Sequence, residues 1–437
     1  MIEKIKAAIE RIDKLSEKKS LRVVSHFDTD GITSAAIFSR TLTRWGKKFS
    51  LEVVKGLEEN FIKNLPDDEV LIFLDLASGS LDYLKDKKTE VFIFDHHEIE
   101  QKIPDNVFMV NPVLEGHEPI SGAAVCYLFA KELSQANRDL ANLAVIGMVG
   151  DLHEKNIGRV FDGILKDSET VVKKGLLVYP STRPLDRVLE YSSNPYIPGV
   201  TGSRTNVLSL LRDAGIAFEN GKYKAVYELD DSEMTKLVTS IMLKSKIKDP
   251  EGMVGNLFLV KFFNKLEDAR ELSALINACS RMGHSHVALG FCLGNRKFRK
   301  EAEDIYIEYK QSLVSALKYV SESEKLEGKN YVIVNARDKI KDTIIGTVAS
   351  ILSHSPSYEQ GSIIVALAYN DDKVKVSARI SGRKGRNVRE ILSRVVVPIG
   401  GEVGGHPNAA GCLISREQEE LFIMELRKVL DVELVKV

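Results

Sequence analysis

The sequence has no long hydrophobic run and no closely spaced cysteines. The longest apolar stretch, Leu140 to Gly150, is interrupted by Asn142 and Gly147 and is shorter than the ~18 residues of a membrane span. The four cysteines form no CxxC pair, which argues against a disulfide scaffold and against a zinc ribbon. The N-terminal segment combines alternating charges with isoleucines at helical spacing, which is typical of an amphipathic helix and not of an export signal. We therefore expect a cytoplasmic protein, outside any membrane, with buried and reduced thiols.

The chain also has almost no net charge and few prolines. The 61 Lys and Arg nearly balance the 62 Asp and Glu, so a nucleic-acid partner would require basic residues concentrated in one place. Residues 379–394 hold six basic residues against one Glu, and residues 295–300 hold four against none, although a solvated helix face explains the second segment about as well. With 437 residues, 44% of them hydrophobic, and only 12 prolines, the chain is expected to fold into two or three domains.

The first part of the chain alternates short β-rich runs with helical segments. The runs LRVVSHFD, SLEVV, EVLIFLDL, TEVFIFDHH and NVFMVNP lie between residues 21 and 112, and most are apolar throughout. Such strands predict a mostly parallel sheet covered on both faces. Two apolar helices, at 122–133 and 139–150, could provide part of that cover. We assign residues 1–200 to this α/β domain.

The remainder divides into a helical segment and a second α/β domain. Residues 179–204 are rich in Pro, Ser, Gly and Asn and are predicted to form a loop at a domain boundary. Residues 201–325 are predicted to be a mainly helical connecting segment. Strands return at YVIVNA, SIIVALAY and KVKVSARIS, and a Gly-rich loop and a C-terminal helix follow them. Residues 326–437 are therefore expected to form a smaller α/β domain.

Ligand-capable side chains follow the first strand. His26, Asp28 and Asp30 alternate along the chain, and alternate residues of an extended segment share one face. They would then project together from the carboxyl end of a strand, the edge at which open α/β sheets place their sites. A turn with an aspartate N-cap is the structural alternative for this motif.

Further acidic residues recur at equivalent places in the chain. Asp75 ends the run LIFL, Asp95 with His96 and His97 ends the run VFIF, and Asp151 follows an apolar helix. A charge at the end of a buried strand is costly unless it is paired or bound to a metal. Four carboxylates with one or two imidazoles suit Mn²⁺ or Mg²⁺ better than structural zinc and are enough for two ions. Paired metals of this kind are used in phosphoester hydrolysis.

Together, HFDTDG, the lone Asp75, Asp95-His96-His97 and Asp151 resemble the motifs of the DHH phosphoesterase superfamily. The resemblance implies two Mn²⁺ ions, with Mg²⁺ as a substitute, and Asp75 as the bridging ligand. One ion would take His26, Asp28 and Asp75, and the other Asp30, Asp75, His96 and Asp151. It further implies that His97 contacts the scissile phosphate or the leaving group and that Asp95 orients a histidine.

The Gly-rich segment at 400–411 resembles the GGGHPxAAG signature of the DHHA1 domain, which accompanies the DHH domain in RecJ-like nucleases and small-oligonucleotide phosphodiesterases. Val403 stands where many members have another glycine, so the local loop shape is expected to differ. The resemblance implies that this domain holds the nucleic acid. The implied substrate-binding residues are Arg379, Ser381, Arg383, Gly404, Gly405 and His406.

Length and motif variants look most like archaeal RecJ-like exonucleases, and more like the Hef-associated branch, which works from the 3′ end, than the GINS-associated branch, which works from the 5′ end. The resemblance implies a metal-dependent exonuclease of single-stranded DNA, with RNA as a further substrate, in DNA repair or replication. It also implies a protein partner such as a Hef-type helicase/nuclease or GINS, and leaves open a homo-oligomer.

Other functions remain as alternatives. A phosphodiesterase of very short RNA or cyclic-dinucleotide products would use the same two domains, and a non-catalytic scaffold at the replication fork would have no need of the costly acidic cluster. An inorganic pyrophosphatase would carry a different C-terminal domain. The remaining histidines belong to no evident set of ligands, although His153 is close to Asp151 in the sequence, and we interpret them as structural or surface residues. They are His117, His153, His284, His286 and His354.

Overall fold

The computed structural model describes residues 1–153, 157–192, 197, 199–245, 253–355, 358–382 and 385–431. These residues form two compact units, 1–305 and 306–437. None of the helices in the described part of the chain is both long and apolar enough to span a membrane. All four cysteines are free and buried, which confirms the interpretation of them as buried thiols.

The first unit contains two principal sheets and a series of helices. Its strands are β1 Leu21–His26, β2 Phe49–Val54, β3 Val70–Leu74, β4 Val91–Phe94, β5 Val107–Val110, β6 Val171–Leu176, β7 Phe218–Glu219, β8 Lys222–Tyr223, β9 Val254–Phe262 and β10 Lys265–Asp268. Its helices are α1 Ile2–Ser16, α2 Thr29–Arg44, α3 Glu59–Asn64, α4 Leu81–Leu84, α5 Gly122–Leu133, α6 Ala141–Gly150, α7 Arg159–Asp167, α8 Leu185–Tyr191, α9 Arg204–Asp213, α10 Asp231–Ser245, α11 Ala269–Arg281 and α12 Ser285–Cys292, and α13 Arg296–Glu322 begins in it.

The larger sheet confirms the predicted parallel α/β architecture. Its strand order is β2-β1-β3-β4-β5, and every neighbouring pair is parallel. Each residue of β3 and β4 is buried, as expected for strands covered on both faces. The chain leaves β1 toward β2 on one side and returns to β3 on the other. The strand order therefore reverses between β1 and β3, which is where open α/β sheets bind ligands.

The middle of the chain is helical, as predicted, but it also contains a sheet. Strands β6, β9 and β10 form an antiparallel sheet in the order β10-β9-β6. Strand β6 lies before residue 200 and its partner β9 lies after it. The antiparallel sheet therefore joins residues on both sides of the boundary predicted at residue 200. The predicted loop at 179–204 also contains α8, whose Leu185, Val188 and Leu189 are buried. The Pro, Ser, Gly and Asn content of that segment obscured a short amphipathic helix.

The second unit has a six-stranded mixed sheet with helices. Its strands are β11 Leu326–Gly328, β12 Tyr331–Asn335, β13 Ile363–Asn370, β14 Lys373–Ile380, β15 Val403–His406 and β16 Ala409–Ser415, and its further helices are α14 Asp342–Ser353, α15 Val388–Val396 and α16 Glu419–Asp431. The strand order is β11-β12-β13-β14-β16-β15, in which β12 and β13 alone form a parallel pair. This sheet confirms the predicted C-terminal α/β domain.

The Gly-rich segment is a hairpin and not the predicted loop. Strand β15 pairs with β16 at the edge of the sheet, so Gly404 and Gly405 lie within a strand. Gly405 has φ 113, and a Cβ atom there would lie 2.3 Å from the carbonyl oxygen of Ala409. Glycine is therefore required at this position for the close approach of two backbones.

Candidate metal centre

The ends of three strands and one helix bring the predicted ligands together. His26 is the last residue of β1, Asp75 follows β3, Asp95 follows β4, and Asp151 follows α6. The ligand atoms form three groups, and the atoms within each group lie within 4.8 Å of one another. The groups are His26, Asp28 and Asp75; Asp75, Asp95, His96 and His97; and His96, Asp151 and His153.

A tight turn, and not an extended segment, positions the residues after β1. Asp28 is the N-cap of α2 and accepts a hydrogen bond from the amide of Gly31 at 3.0 Å, while Asp30 lies in the first turn of the helix. The expected alternation on one strand face is therefore wrong, and the N-cap alternative describes Asp28. A Cβ atom at residue 31 would lie 2.2 Å from the carbonyl oxygen of His26, so the turn requires glycine.

Asp30 is held by the first residues of α5. Its two carboxylate oxygens accept hydrogen bonds from the backbone amides of Gly122 at 2.6 Å and Ala123 at 2.9 Å. These amides are unpaired donors at a helix N-terminus, where the helix dipole favours negative charge. Oδ2 of Asp30 also lies 3.6 Å from Nε2 of His96. Sequence reasoning missed the role of these amides, for which the N-cap Ser121 was the available signal.

Asp75 lies between two histidines at the centre of the site. Its Oδ2 is 3.6 Å from Nδ1 of His26, and its Oδ1 is 3.2 Å from Nε2 of His96. The side chain is 2% exposed, and Oδ1 is buried without a hydrogen-bond partner. Its backbone has φ 58, a conformation that is uncommon outside glycine, asparagine and aspartate. A buried carboxylate oxygen without a partner is the position that a metal ion would satisfy.

Burial makes the central carboxylates hard to ionise. Burial and the neighbouring Asp75 and Asp151 raise the pKa of Asp30 well above its usual range. Burial and the nearby Asp28 raise the pKa of Asp75 to about 8. Among the residues that the structure describes, no lysine or arginine forms an ion pair with any of these aspartates.

The histidine between Asp28 and Asp75 has the opposite shift. Burial opposes the charge of His26, but Asp28 and Asp75 outweigh burial and raise the pKa of His26 to about 11. The oxygen and nitrogen donors, without a thiolate, fit a hard divalent cation such as Mn²⁺ or Mg²⁺. Such a cation would take the place of the His26 proton and balance the carboxylates of the centre.

Asp95 forms hydrogen bonds with the two histidines that follow it. This fully buried carboxylate accepts hydrogen bonds from the backbone amides of Ser78 at 3.1 Å and His96 at 2.8 Å, and its Oδ1 lies 2.7 Å from Nδ1 of His97. Burial opposes its ionisation, but the contact with His97 outweighs burial and holds the pKa of Asp95 below its usual range. The same contact raises the pKa of His97 to about 9.

His153 belongs to the centre, contrary to its interpretation as a structural or surface histidine. Its Nε2 lies 3.2 Å from Oδ2 of Asp151, and its ring centroid is 5.9 Å from that of His96. Spacing alone did not reveal this contact because the backbone turns sharply at the residue between Asp151 and His153. His284 and His286 have ring centroids 6.0 Å apart and are not part of the ligand groups found among the described residues.

Helix α11 supports the turn that carries Asp28 and Asp30. The backbone amide of Thr29 donates to Oδ1 of Asn277 at 3.0 Å, and the hydroxyl of Thr29 donates to the carbonyl oxygen of Ser273 at 2.9 Å. These residues are distant in the chain from Thr29, so no local pattern predicted the contacts. They tie the turn to α11, in addition to the hydrogen bonds that Asp30 accepts from α5.

The predicted substrate-binding residues cluster at one end of the second sheet. Arg379 is opposite Ala409 on the neighbouring strand, and His406 is opposite the same alanine on the other side. The guanidinium of Arg379 donates to Oγ of Ser350 at 3.0 Å and to the carbonyl oxygen of Ala378 at 2.8 Å. Ser381 is buried just after β14, and Gly404, Gly405 and His406 are exposed on β15. Arg383 lies outside the described residues.

Comparison with family models assigns domains to both ends of the chain. Residues 20–148 match the DHH family N-terminal domain, residues 179–253 the DHH-CID domain and residues 328–431 the DHHA1 domain. The chain carries a DHH domain and a DHHA1 domain. These matches agree with the resemblance that the motifs predicted at each end.

Two curated proteins are similar in sequence to this DHH–DHHA1 chain. An uncharacterized protein of Methanocaldococcus jannaschii is 29% identical over 455 residues, covering 98% of this chain and 99% of that protein. A SPbeta prophage-derived protein of Bacillus subtilis, named as a single-strand DNA-specific exonuclease, is 25% identical over 291 residues, covering 60% of this chain and 50% of that protein. The match to the second relative thus spans about half of its length.

Solved structures of two proteins share the fold over almost the whole chain. RecJ of Thermus thermophilus, in complex with Mn²⁺, is 17% identical with a TM-score of 0.62, covering 98% of this chain and 55% of RecJ. CDC45 of Entamoeba histolytica is 13% identical with a TM-score of 0.69, covering 99% of both chains. At this identity the similarities show the fold alone.

We expect Gly147→Ala to damage the centre without replacing a ligand. A Cβ atom at residue 147 would lie 2.7 Å from Oδ1 of Asp30 and 2.5 Å from Cβ of Ala123, so Asp30 and α5 would have to shift. Overpacking of this kind costs about 1–3 kcal/mol, and the displaced carboxylate should weaken Mn²⁺ binding by about tenfold or more. Titration calorimetry and thermal unfolding measure the two effects. Gly163→Ala is the matched control, because a Cβ atom there meets nothing within 4 Å. Unchanged Mn²⁺ affinity in Gly147→Ala would contradict this account.

Proposed function

We propose that the protein is a metal-dependent exonuclease that hydrolyses phosphodiester bonds of single-stranded DNA, and of RNA, in DNA repair or replication. The observation that carries the proposal is the buried pair Asp30 and Asp75, with which no lysine or arginine of the described residues forms an ion pair and in which Oδ1 of Asp75 accepts no hydrogen bond. Keeping such a pair costs stability unless a cation and an anionic substrate use it. The exonuclease name of the B. subtilis relative and the RecJ-like fold support the same function. The 3′ starting point rests on the resemblance to the Hef-associated branch.

In this proposal the ligands divide around Asp75. His26, Asp28 and Asp75 would hold one ion, and Asp30, Asp75, His96 and Asp151 would hold the other, with His153 beside Asp151. When bound, the ions supply a hydroxide nucleophile at neutral pH and neutralise charge that develops on the phosphoryl oxygens. The backbone amides that hold Asp30, and the contacts of Thr29 with α11, keep the ligands in place before substrate arrives.

His97 has the geometry of a phosphate-binding residue. Asp95 engages Nδ1, so Nε2 is the ring nitrogen left to donate toward an incoming phosphate or leaving oxygen. The side chain of His97 is 56% exposed, whereas that of Asp95 is fully buried. In this proposal Asp95 orients His97 toward the substrate, the role that the resemblance implies for each of them.

The second domain would grip the nucleic acid through exposed groups on β15 and the adjoining strands. His406 is exposed, so His406→Ala should raise KM for an oligonucleotide by about tenfold while kcat and Mn²⁺ affinity stay close to wild type. Arg379 also donates a hydrogen bond to Ser350 within the domain, so its replacement would change the stability of the fold as well as substrate binding. Lys373→Ala, an exposed cation at the opposite end of β14, is the control. A loss of bound Mn²⁺ in His406→Ala would contradict the division of roles between the domains.

The proposed function is tested with oligonucleotides labelled at either end. DNA and RNA strands of several lengths are incubated with Mn²⁺, Mg²⁺ or EDTA. We expect 5′-labelled single strands to shorten in steps with Mn²⁺, and no product with EDTA. Immediate release of a labelled mononucleotide from the 5′ end would show that the enzyme degrades the strand from the 5′ end and not from the 3′ end. Failure to cleave any strand with either metal would remove the nuclease proposal.

A replication-fork scaffold is the second candidate, because the CDC45 fold covers 99% of both chains. The same fold accommodates either role, so the site must decide between them. A scaffold gains nothing from two buried, mutually repelling carboxylates. Stable association with a replication or repair protein, together with full resistance of bound DNA to cleavage, would favour the scaffold.

A further inference from the structure

Leu152 combines an unfavourable backbone conformation with an exposed apolar side chain. It directly follows Asp151, the C-cap of α6, and has φ 60, in the left-handed region. Glycine is the usual residue at this position after a helix because a side chain there is strained. Leu152 is also 63% exposed. The backbone strain at Leu152 is therefore not offset by burial of its side chain.

The two neighbours of Leu152 are both part of the metal centre. Oδ2 of Asp151 lies 3.4 Å from Nε2 of His96, and Nε2 of His153 lies 3.2 Å from the same oxygen of Asp151. The left-handed turn at residue 152 is what allows residues on either side of it to approach one point. Glycine would make that turn at lower cost, so the turn alone does not explain leucine.

Asp151, which directly precedes Leu152, is one of the solvent-exposed residues of the centre. Asp30 and Asp75 are 2% exposed, whereas the side chains of Asp28, Asp151 and His97 are 38%, 34% and 56% exposed. A substrate therefore reaches the centre over these three exposed residues, and the chain continues from one of them to Leu152. A leucine side chain can bind neither a metal ion nor a phosphate. It can bury apolar surface against a sugar or a base, and leucine serves as an apolar wedge between bases in other nucleic-acid complexes.

We propose that Leu152 contacts the base of the nucleotide whose phosphodiester bond lies at the metal centre. The inference rests on the proposed nuclease function and adds a specificity-determining contact to it. Strain at a functional site persists when the strained residue is used. The contact gives the site a means to distinguish a nucleotide from a phosphodiester that lacks a base.

The test combines Leu152→Gly with a substrate that lacks the base. The attacked end is first identified with wild type, and two single strands are then compared, one normal and one with abasic sites in the two terminal nucleotides at that end. We expect Leu152→Gly to lower kcat/KM on the normal strand by about tenfold, and removal of the bases to lower wild-type kcat/KM similarly. The abasic strand should lose little further with Leu152→Gly, because each change removes the same contact. Mn²⁺ affinity should stay unchanged, and the Tm should stay equal or rise.

Glu169→Gly is the matched control. Glu169 is exposed and has φ 53 after α7, so this variant makes the same backbone change away from the metal centre. It should leave kcat/KM on both strands at the wild-type value. If Leu152→Gly lowers kcat/KM on the abasic strand by the same factor as on the normal strand, or if it lowers the Tm, the base contact is wrong. The proposed nuclease function is unaffected by either result. If wild type cleaves neither strand, the nuclease function fails and the inference fails with it.

Discussion

Asp75→Asn should abolish hydrolysis, by about three orders of magnitude or more, and should stabilise the metal-free protein. The loss of activity follows from the position of Asp75 between His26 and His96, since one carboxylate would serve both ions. The gain in stability follows because asparagine is neutral, whereas a carboxylate buried beside Asp28 and Asp30 must take up a proton or carry an unfavourable charge. Asparagine tolerates φ 58 as well as aspartate does, so the backbone should be unaffected.

The stability gain should depend on pH. The pKa of Asp75 is raised to about 8 in the folded protein, mainly by burial. A group with a raised pKa favours the folded state while it is protonated, and that contribution is lost as the pH rises from the unfolded value of about 4 through the folded one. Metal-free wild type should therefore lose stability between pH about 4 and 8 relative to Asp75→Asn.

Denaturant unfolding in EDTA across this pH interval, with activity assays in Mn²⁺, measures both effects. Asp86→Asn is the control, because Asp86 is exposed and lies just after α4, away from the ligand groups. It should change neither activity nor the pH dependence. Activity of Asp75→Asn within a few-fold of wild type would show that Asp75 does not bridge two ions. Lower stability of Asp75→Asn in EDTA at pH 8 would show that its carboxylate is already compensated without metal.

The residues of the candidate metal centre were predictable because their signal is local. An acid directly after four apolar residues, as at Asp75 and Asp95, indicates a charge at the end of a buried strand whatever the rest of the fold. The predicted residues His26, Asp28, Asp30, Asp75, His96 and Asp151 do come together in the structure. Their contacts with Gly122, Ala123 and Asn277 could not be predicted, since the partners are far apart in the chain and carry no distinctive pattern.

The same distinction explains the fold. Strands β1 to β5 are mostly apolar and a helix lies between each successive pair from β1 to β4, so both their existence and their parallel arrangement follow from the sequence. The pairing of β6 with β9 joins residues 171–176 to residues 254–259 and depends on the folding of everything between them. Glycines between 400 and 411 suggested a loop, because composition does not reveal that a neighbouring strand will pair with them.

Length and salt dependence of binding should separate an exonuclease from a phosphodiesterase of very short RNAs or cyclic dinucleotides. Among the basic residues at 295–300, Arg299 pairs with Glu267 and Glu303, whereas Arg296, Lys297 and Lys300 are exposed. Each phosphate neutralised on a single strand contributes about −0.7 to the slope of log K against log salt. An exonuclease that engages about four phosphates should show a slope of about −3, and a dinucleotide enzyme about −1.

We expect the steep slope and tighter binding of longer strands. The measurement is the affinity of Asp75→Asn for single strands of about 3, 8 and 20 nucleotides over a salt series, site sizes that bracket those of single-strand binding grooves. In the same background, alanine at Arg296, Lys297 and Lys300 should make the slope for the longest strand shallower by about 2, whereas alanine at the exposed Lys14 and Lys18, at the end of α1 and just beyond it, should leave it unchanged. Equal affinity and equal slope for all three lengths would reject a multi-phosphate binding surface. The acidic centre would then serve a substrate with one or two phosphodiester bonds, as the short-oligonucleotide alternative requires.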